Sequence, residues 1–154
     1  MRLSSMADYA VVTMSAAARH CGAGSPAGPD GKRARVNAAQ LAEETGLPAP
    51  TVQKLVSKLS AAGLLRAVRG AGGGLQLARP AAAISLADIV EAVEGPIALA
   101  ACIDHGADHQ ACTLAACCTV RPHWPLVNAA LRGALAGVPL TRLAAPAAPL
   151  ETVS

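Results

Sequence analysis

The sequence predicts a mostly α-helical fold with one small β-hairpin, and three observations support this fold class. The 154 residues are rich in alanine and lack Phe, so helix is expected wherever Gly and Pro do not intervene. Apolar residues recur at three- and four-residue steps in four separate stretches. One glycine-rich segment, 70–74, separates two short apolar runs. The length fits one domain, with or without an appended element.

The first predicted helix covers the N-terminal stretch "MRLSSMADYAVVTMSAAARHC". Its apolar residues recur at helical spacing and define one face: Leu3, Met6, Ala10, Met14, Ala17 and Cys21. The basic start and weakly apolar run also resemble a signal peptide, but Asp8 and the helical spacing favour a folded helix in a cytoplasmic protein. No stretch approaches the ~18–20 apolar residues of a transmembrane helix, so we expect no membrane association.

Two short helices joined by a tight turn are predicted after the Gly/Pro-rich loop at 21–35. Asn37, with Gln40 three residues later, is typical of a helix N-terminus, and Gly46 of a C-terminus. The second helix, about 50–62, begins at prolines and ends at Gly63. Its buried stripe is Val52, Leu55, Val56 and Leu59, and its outward face is Thr51, Gln53, Lys54, Ser57 and Lys58. This arrangement predicts a helix-turn-helix.

The segment "LLRAVRGAGGGLQLARP" predicts a strand, a glycine-rich turn and a second strand. A phosphate-binding loop is excluded, because a dinucleotide fingerprint starting at Gly70 requires glycine where Leu75 stands and no Gly-Lys-Ser/Thr follows. A two-stranded ribbon directly after a helix-turn-helix is the layout of a winged helix, which we assign to residues 1–80. The fold class is therefore a winged helix-turn-helix plus a C-terminal dimerisation helix.

Charge points to nucleic acid as the partner of the first half. Residues 1–80 carry ten Lys/Arg against four Asp/Glu, whereas residues 81–154 carry three against six. We predict that Gln53 reads adenine in the major groove and that Arg69, at the wing tip, enters a minor groove. The other predicted DNA-binding residues contact mainly phosphates and sugars: Arg2, Thr51, Lys54, Ser57, Lys58 and Gly70.

The acidic half contains two further predicted helices. Ser85 and Asp88 form a capping box, followed by an apolar face and a break at Gly95-Pro96, within connecting helices at 81–101. A helix at about 122–136, in a dimerisation segment at 121–143, has an unpartnered apolar stripe: Leu126, Ala130, Leu131 and Leu135. A two-fold homodimer presents two recognition helices to palindromic double-stranded DNA. We expect the tail, 144–154, to be disordered.

A cysteine-rich loop, 102–120, separates these helices. Four of the five cysteines fall within seventeen residues, which favours a local metal site over a disulfide framework. The loop lacks the tight Cys-x2–4-Cys knuckles of structural zinc sites, and widely spaced thiolates suit a cluster better. From the residues alone, an iron–sulfur cluster, zinc and redox-reactive thiols all remain open. An enzyme is not expected, because no Cys-His-Asp/Asn arrangement is readable.

The sequence resembles the IscR-type winged-helix repressors over about residues 1–140. The resemblance rests on "MRLSSMADYAV", on "LAEETGLPAPTVQKLVSKLSAAGLLRAVRGAGGGLQLARP", on "ISLADIVEAVEG", and on the cysteine loop that continues into "VRPHW". Family members include sensors of iron–sulfur status, nitric oxide and iron. This sequence is most similar to those that control SUF-type iron–sulfur cluster assembly genes.

The resemblance implies a homodimeric regulator, in the manner of a repressor, whose promoter affinity depends on a 2Fe–2S or 4Fe–4S cluster. The implied ligands are Cys102, Cys112 and Cys118, with Cys117 as an extra thiol. The fourth ligand is His123 or Asp8 of the partner subunit, and the loop also contains His105 and His109. The alternative is a cluster-free thiol-redox or zinc-containing transcriptional regulator.

Overall fold

A computed structural model describes residues 2–21, 34–100, 102–103 and 116–146. These residues form six α-helices, one two-stranded sheet and two 3-10 turns. In chain order the elements are α1 (Ser5–Cys21), α2 (Ala38–Thr45), α3 (Ala49–Ala61), β1 (Leu65–Val68), β2 (Gly74–Leu77), a 3-10 turn (Ala81–Ala83), α4 (Leu86–Glu94), a second 3-10 turn (Arg121–His123), α5 (Trp124–Ala136) and α6 (Leu140–Ala144). No helix among the described residues is long and apolar enough to cross a membrane.

Helix α1 is the centre of the core and contacts α2, α3, α4, α6 and β2. Of the face predicted from spacing, Ala10, Met14 and Ala17 are buried. Leu3 is 44% exposed and does not belong to that face, because it precedes the first residue of the helix, Ser5. The many alanines of α1 leave little side-chain bulk, so the surrounding helices pack closely against its backbone.

The helix-turn-helix forms as its local signals predict. The Asn37 side chain accepts a hydrogen bond from the Gln40 backbone N–H at 2.8 Å, and the Gln40 side chain accepts one from the Asn37 N–H at 3.0 Å. Gly46 then takes the left-handed conformation, with φ of 69°, that ends α2. Helix α3 buries Val52, Leu55 and Leu59 completely. These contacts hold α3 on the core with its polar side chains facing outward.

The wing is an antiparallel hairpin in which Leu65 pairs with Leu77 and Val68 with Gly74. A third segment extends it, which the sequence did not predict. Val36 exchanges two backbone hydrogen bonds with Leu75, at 3.1 and 2.7 Å, immediately before the N-cap of α2. This pairing attaches the hairpin to the helix-turn-helix.

Helix α4 begins at the predicted capping box, because the Asp88 N–H donates to Ser85 Oγ and Asp88 Oδ2 accepts from the Ser85 N–H. The helix ends before Gly95, whose φ is 89°. It lies within the segment 81–101 assigned to connecting helices, and it buries Ile89, Val90 and Val93 against α1 and α3. Helix α4 is therefore part of the core.

The helix predicted at about 122–136 forms as α5, and the segment assigned to 121–143 also contains a second helix, α6, that was not predicted. Helix α5 ends at Ala136, because Pro139 lacks a backbone N–H and disfavours helical geometry at Val138. The chain then turns back, and the Leu140 N–H donates to the Ile84 carbonyl at 2.7 Å. Helix α6 contacts α1, and Leu140 is fully buried. Residues 147–154, which include most of the predicted tail, lie outside the described residues.

Candidate nucleic-acid interface and cysteine segment

The outward face of α3 presents three exposed polar side chains, Gln53, Lys54 and Ser57. Ser57 Oγ donates to the Gln53 carbonyl at 3.0 Å, one turn back along the helix. Gln53 and Lys54 extend from the first two turns of α3, the part of a recognition helix that enters a major groove. Thr51, near the start of the helix, is half-buried. The structure thus brings four of the predicted contact residues together on one helix.

Lys58 has a different environment from the other predicted residues of α3. It is half-buried, and its ammonium donates to the carbonyl oxygen of Val93 at 2.8 Å. Val93 lies in the last turn of α4, where carbonyl oxygens lack helical partners and a cation is favourable. The ammonium of Lys58 therefore lies on the end of α4, away from the exposed polar side chains of α3. Sequence spacing alone gave no sign of this contact.

The wing tip carries Arg69 and Gly70, both exposed as predicted. Gly70 and Gly72 have φ values of 103° and 72°, which side chains rarely adopt. A Cβ at Gly73 would lie 2.6 Å from the Val68 carbonyl oxygen, so this position has no room for a side chain. The glycine run is thus required by the turn geometry.

Arg35 is a residue of the wing that sequence reasoning missed. Its Nη1 donates to the carbonyl oxygen of Gly72 at 2.7 Å, so a basic residue from before α2 contacts the wing tip. The only sequence signal was its position in the basic run "KRAR". Arg2, the remaining predicted contact, is exposed ahead of α1 and separate in sequence from α3 and the wing.

An ion-pair cluster attaches the end of α1 to α2. Glu44 accepts hydrogen bonds from Arg19 at 2.6 Å and from His20 at 2.5 Å, through different carboxylate oxygens. The hydrogen bond from Arg19, and then that from His20, lower the pKa of the Glu44 carboxyl. The cluster stabilises α2 at the edge of the helix-turn-helix, close to the segment that leads into 22–33.

The described part of the cysteine segment consists of its two ends. Cys102 is half-buried beside a turn in which the Ile103 N–H donates to the Ala100 carbonyl at 3.0 Å. At the other end Cys118 is half-buried and Cys117 is exposed, shortly before the 3-10 turn that begins α5. Neither Cys102 nor Cys118 is in a disulfide.

The predicted ligands are only partly covered by the structure. Cys112, His105 and His109 lie outside the described residues. His123 is exposed in the 3-10 turn before α5, and Asp8 is exposed in the first turn of α1. Within the described ranges no group of three or more His, Cys, Asp or Glu side chains could hold a metal ion. The ligand set therefore stays a prediction.

Helix α5 is attached to its neighbours by polar side chains and exposes apolar ones. Asn128 Nδ2 donates to the Ile97 carbonyl at 2.7 Å, and Arg132 pairs with both carboxylate oxygens of Glu91 on α4, at 2.8 and 3.0 Å. Leu126 is 73% exposed and Val127 is 45% exposed. Within the predicted stripe, Leu126 and Ala130 are exposed, whereas Leu131 and Leu135 are half-buried.

A family model described as Rrf2, iron-dependent transcriptional regulator, matches residues 3–146 of the chain. The HTH-type transcriptional regulator IscR of Cereibacter sphaeroides is 46% identical over 59 residues, which are 38% of this chain and 38% of that relative. The chain thus covers well under two thirds of the length of this relative.

Two solved structures resemble the whole described fold. The structure of T. potens IscR matches with a TM-score of 0.63 and 26% identity, over 93% of this chain and 85% of that one. CymR, the global cysteine regulator of B. subtilis, matches with a TM-score of 0.65 and 26% identity, over 94% and 96% of the two chains. These likenesses confirm the predicted winged-helix fold class. The chain belongs to the Rrf2 family of transcriptional regulators, as a member of the IscR type.

Proposed function

We propose that this protein is a homodimeric repressor whose affinity for a palindromic operator depends on an iron–sulfur cluster bound by the cysteine segment. One observation carries the proposal: the family match spans both the helix-turn-helix and the cysteine segment, in which the thiols of Cys102 and Cys118 are not in disulfides. The regulated genes would serve iron–sulfur cluster assembly or related needs, in the cytoplasm.

For DNA binding, the exposed face of α3 supplies the contacts to the major groove. Gln53 offers the bidentate amide that suits adenine, and Lys54, Ser57 and Thr51 approach the backbone. Arg69 and Gly70 place the wing tip beside the neighbouring minor groove, and Arg2 adds charge at the N-terminus. Lys58 is assigned to the α3–α4 contact in preference to a phosphate.

For dimerisation, α5 supplies an exposed apolar surface. None of its residues is buried within the chain, and Leu126 and Val127 are large side chains in water. A second copy of the chain, related by a two-fold axis, would cover this surface and present two α3 helices to the two half-sites of an operator.

For cluster binding, the cysteine thiols of the segment are donors of the kind that an iron–sulfur cluster requires. Thiolates are the usual cluster ligands, and both Cys102 and Cys118 are half-buried. Cys102, Cys112 and Cys118 would hold the cluster, with His123 or Asp8 of the partner subunit as the fourth ligand. When bound, the cluster supplies iron–thiolate bonds that iron limitation, oxidants or nitric oxide break.

The chain's own residues would then convert ligation into a change of DNA affinity. Cys102 stands at the start of the segment, and Cys118 stands six residues before the first residue of α5. Tying both thiols to one group holds the segment that follows α4 at a fixed separation from the start of α5. Because α5 contacts α4 and α4 contacts α3, this constraint reaches the recognition helices.

The test is anaerobic purification of the full chain, with an absorption spectrum, iron and sulfide analysis, and DNA-binding assays of loaded and cluster-free forms at one defined salt concentration. We expect iron and sulfide in the wild type, and loss of both in Cys112→Ala without loss of the folded dimer. Cys117→Ala is the matched control and should retain the cluster. A Cys112→Ala protein with unchanged iron content would refute the ligand assignment.

A cluster-free thiol regulator is the second candidate, favoured by the exposure of Cys117 next to half-buried Cys118. In that case the protein purified without oxygen would contain neither iron nor sulfide, and peroxide would change its DNA affinity by oxidising a thiol. Bound zinc without sulfide would instead indicate a structural zinc site.

A further inference from the structure

A side chain of α5, that of Asn128, hydrogen-bonds to the segment that enters the cysteine loop. Asn128 Nδ2 donates to the Ile97 carbonyl at 2.7 Å, and Asn128 Oδ1 accepts from the Leu99 N–H at 3.2 Å. Both ends of the amide are thus used, which fixes the orientation of residues 97–99 as well as their distance from the helix. Leu99 precedes Cys102 by only three residues.

Asn128 is unusual for its place in the helix. The sequence of α5, "WPLVNAALRGALA", has only two strongly polar side chains, Asn128 and Arg132. Asn is a poorer helix former than Leu or Ala, because its side chain competes for backbone hydrogen bonds. Its presence at a half-buried position is therefore explained by the two bonds to 97–99 and not by helix stability.

The helix that carries Asn128 is connected to the recognition helix by two further polar contacts. One turn after Asn128, Arg132 pairs with Glu91 on α4 through two hydrogen bonds. Near the end of α4, the Val93 carbonyl accepts the hydrogen bond from Lys58 on α3. Three polar contacts, connected through the backbones of α5 and α4, thus link residues 97–99 to α3.

We propose that Asn128 is the positioning residue through which the cysteine segment controls α5 and, by way of α4, the recognition helix. This inference rests on the proposed function, in which the segment binds a cluster. With Cys102 ligated, residues 97–99 stay on Asn128 and α5 holds one orientation. With the thiols released, residues 97–99 are held by Asn128 alone, and because Leu99 is 36% exposed, its bond to Asn128 opens to water more often and α5 is held less firmly.

The main experiment compares wild type, Asn128→Ala and the control Ala129→Ser, an exposed position on the same helix that leaves both bonds intact. Each full chain is purified without oxygen, and its iron and sulfide contents are measured. Its operator affinity is then determined for the cluster-loaded and the cluster-free form. In the wild type and in Ala129→Ser, we expect the operator affinity of the loaded form to differ from that of the cluster-free form by about 5- to 150-fold, the usual range. Asn128→Ala should still bind the cluster and DNA, but the ratio of its loaded to its cluster-free operator affinity should be near one.

A second readout does not depend on the cluster. In cluster-free wild type, hydrogen exchange of the Leu99 amide should be slowed by its bond to Asn128, and in Asn128→Ala it should be fast. Asn128→Asp covers the case in which Asn128→Ala does not fold. Its carboxylate can accept from the Leu99 N–H but cannot donate to the Ile97 carbonyl, so an intermediate ratio is expected.

The outcomes separate the inference from the proposed function. A wild type without iron and sulfide, or with equal affinities in both forms, refutes the proposed function and the coupling with it. A wild type with a clear difference between forms, together with an equal difference in Asn128→Ala or Asn128→Asp, refutes only the role of Asn128. Unchanged exchange of the Leu99 amide in Asn128→Ala refutes the contact on which the role depends.

Discussion

The ammonium of Lys58, on the recognition helix, donates a 2.8 Å hydrogen bond to the carbonyl oxygen of Val93, in the last turn of α4. The two residues are 35 positions apart, so this contact joins the DNA-binding part of the chain to the part that leads to the cysteine segment. A charged donor on a helix carbonyl is a stronger bond than one between neutral groups.

Lys58→Met should therefore differ from Lys54→Met in a way that the salt dependence of DNA binding reveals. Lys54 is exposed one turn earlier on α3, and its loss should reduce the slope of log K against log salt by about 0.9, the release of one counterion per phosphate contact. Lys58→Met should leave that slope unchanged and lower the free energy of unfolding by about 1.5 to 3 kcal/mol. Equal losses of slope in the two variants would assign Lys58 to the DNA backbone instead.

Gly73→Ala tests whether the glycine run at the wing tip is structural. A Cβ at this position would lie 2.6 Å from the Val68 carbonyl oxygen and 2.9 Å from that of Gly70, so the turn must open. We expect the free energy of unfolding to fall by about 1 to 3 kcal/mol, and operator affinity to fall as Arg69 is displaced. Chemical denaturation and a binding titration measure the two effects.

The control for the wing tip is Ala71→Ser, which changes an exposed residue between the glycines. It should leave both stability and binding near wild type. A Gly73→Ala protein that is as stable as this control would mean that the tip accommodates a side chain.

Thr13→Val should stabilise the protein. Thr13 is fully buried on α1, and its Oγ1 has no hydrogen-bond partner among the described residues. Valine has nearly the same shape and removes the cost of a buried unpaired hydroxyl, so the free energy of unfolding should rise by about 1 kcal/mol.

Thr45→Val is the matched control for that change and should have the opposite sign. Thr45 Oγ1 donates to the Leu41 carbonyl at 2.6 Å and accepts from the Leu47 N–H at 3.4 Å, so the substitution removes real hydrogen bonds. Urea denaturation of both variants against wild type measures the difference. A destabilised Thr13→Val protein would show that the buried hydroxyl has a partner.

Local signals explain which parts of the fold the sequence predicts correctly. The capping boxes at Asn37 and Ser85 each involve residues three positions apart, and both form as expected. The outward exposure of Gln53 and Lys54 follows from helical periodicity and the buried stripe opposite. These features depend on a few neighbouring residues, so the sequence contains all that is needed to infer them.

Contacts between distant residues account for the features that were missed. The pairing of Val36 with Leu75, the Lys58–Val93 bond and the attachment of 97–99 by Asn128 depend on how helices meet, which periodicity does not encode. Helix α6 was not predicted as a separate element, although Pro139 already signalled a break before it. The cysteine ligands were implied by the family resemblance, and Cys112 lies outside the described residues.

The Glu44 cluster predicts a specific pH dependence of stability. Because hydrogen bonds from Arg19 and His20 lower the pKa of this carboxyl in the folded protein, the cluster adds stability above the pKa of an unfolded Glu, about 4.3. That contribution is lost as the pH falls through the lowered folded value. Glu44→Gln should therefore reduce the free energy of unfolding by less than about 1 kcal/mol at pH 7, since the pair is partly exposed to solvent.

The difference in free energy of unfolding between Glu44→Gln and wild type should shrink steadily below about pH 4. Glu43→Gln, at an exposed neighbouring position, should differ little from wild type at low or at neutral pH. Urea denaturation at pH 3 and pH 7 measures both variants, and added salt should reduce the effect at pH 7 because it screens the pair. A Glu44→Gln deficit that persisted unchanged at pH 3 would mean that the side chain acts through packing on α1 and not through its charge.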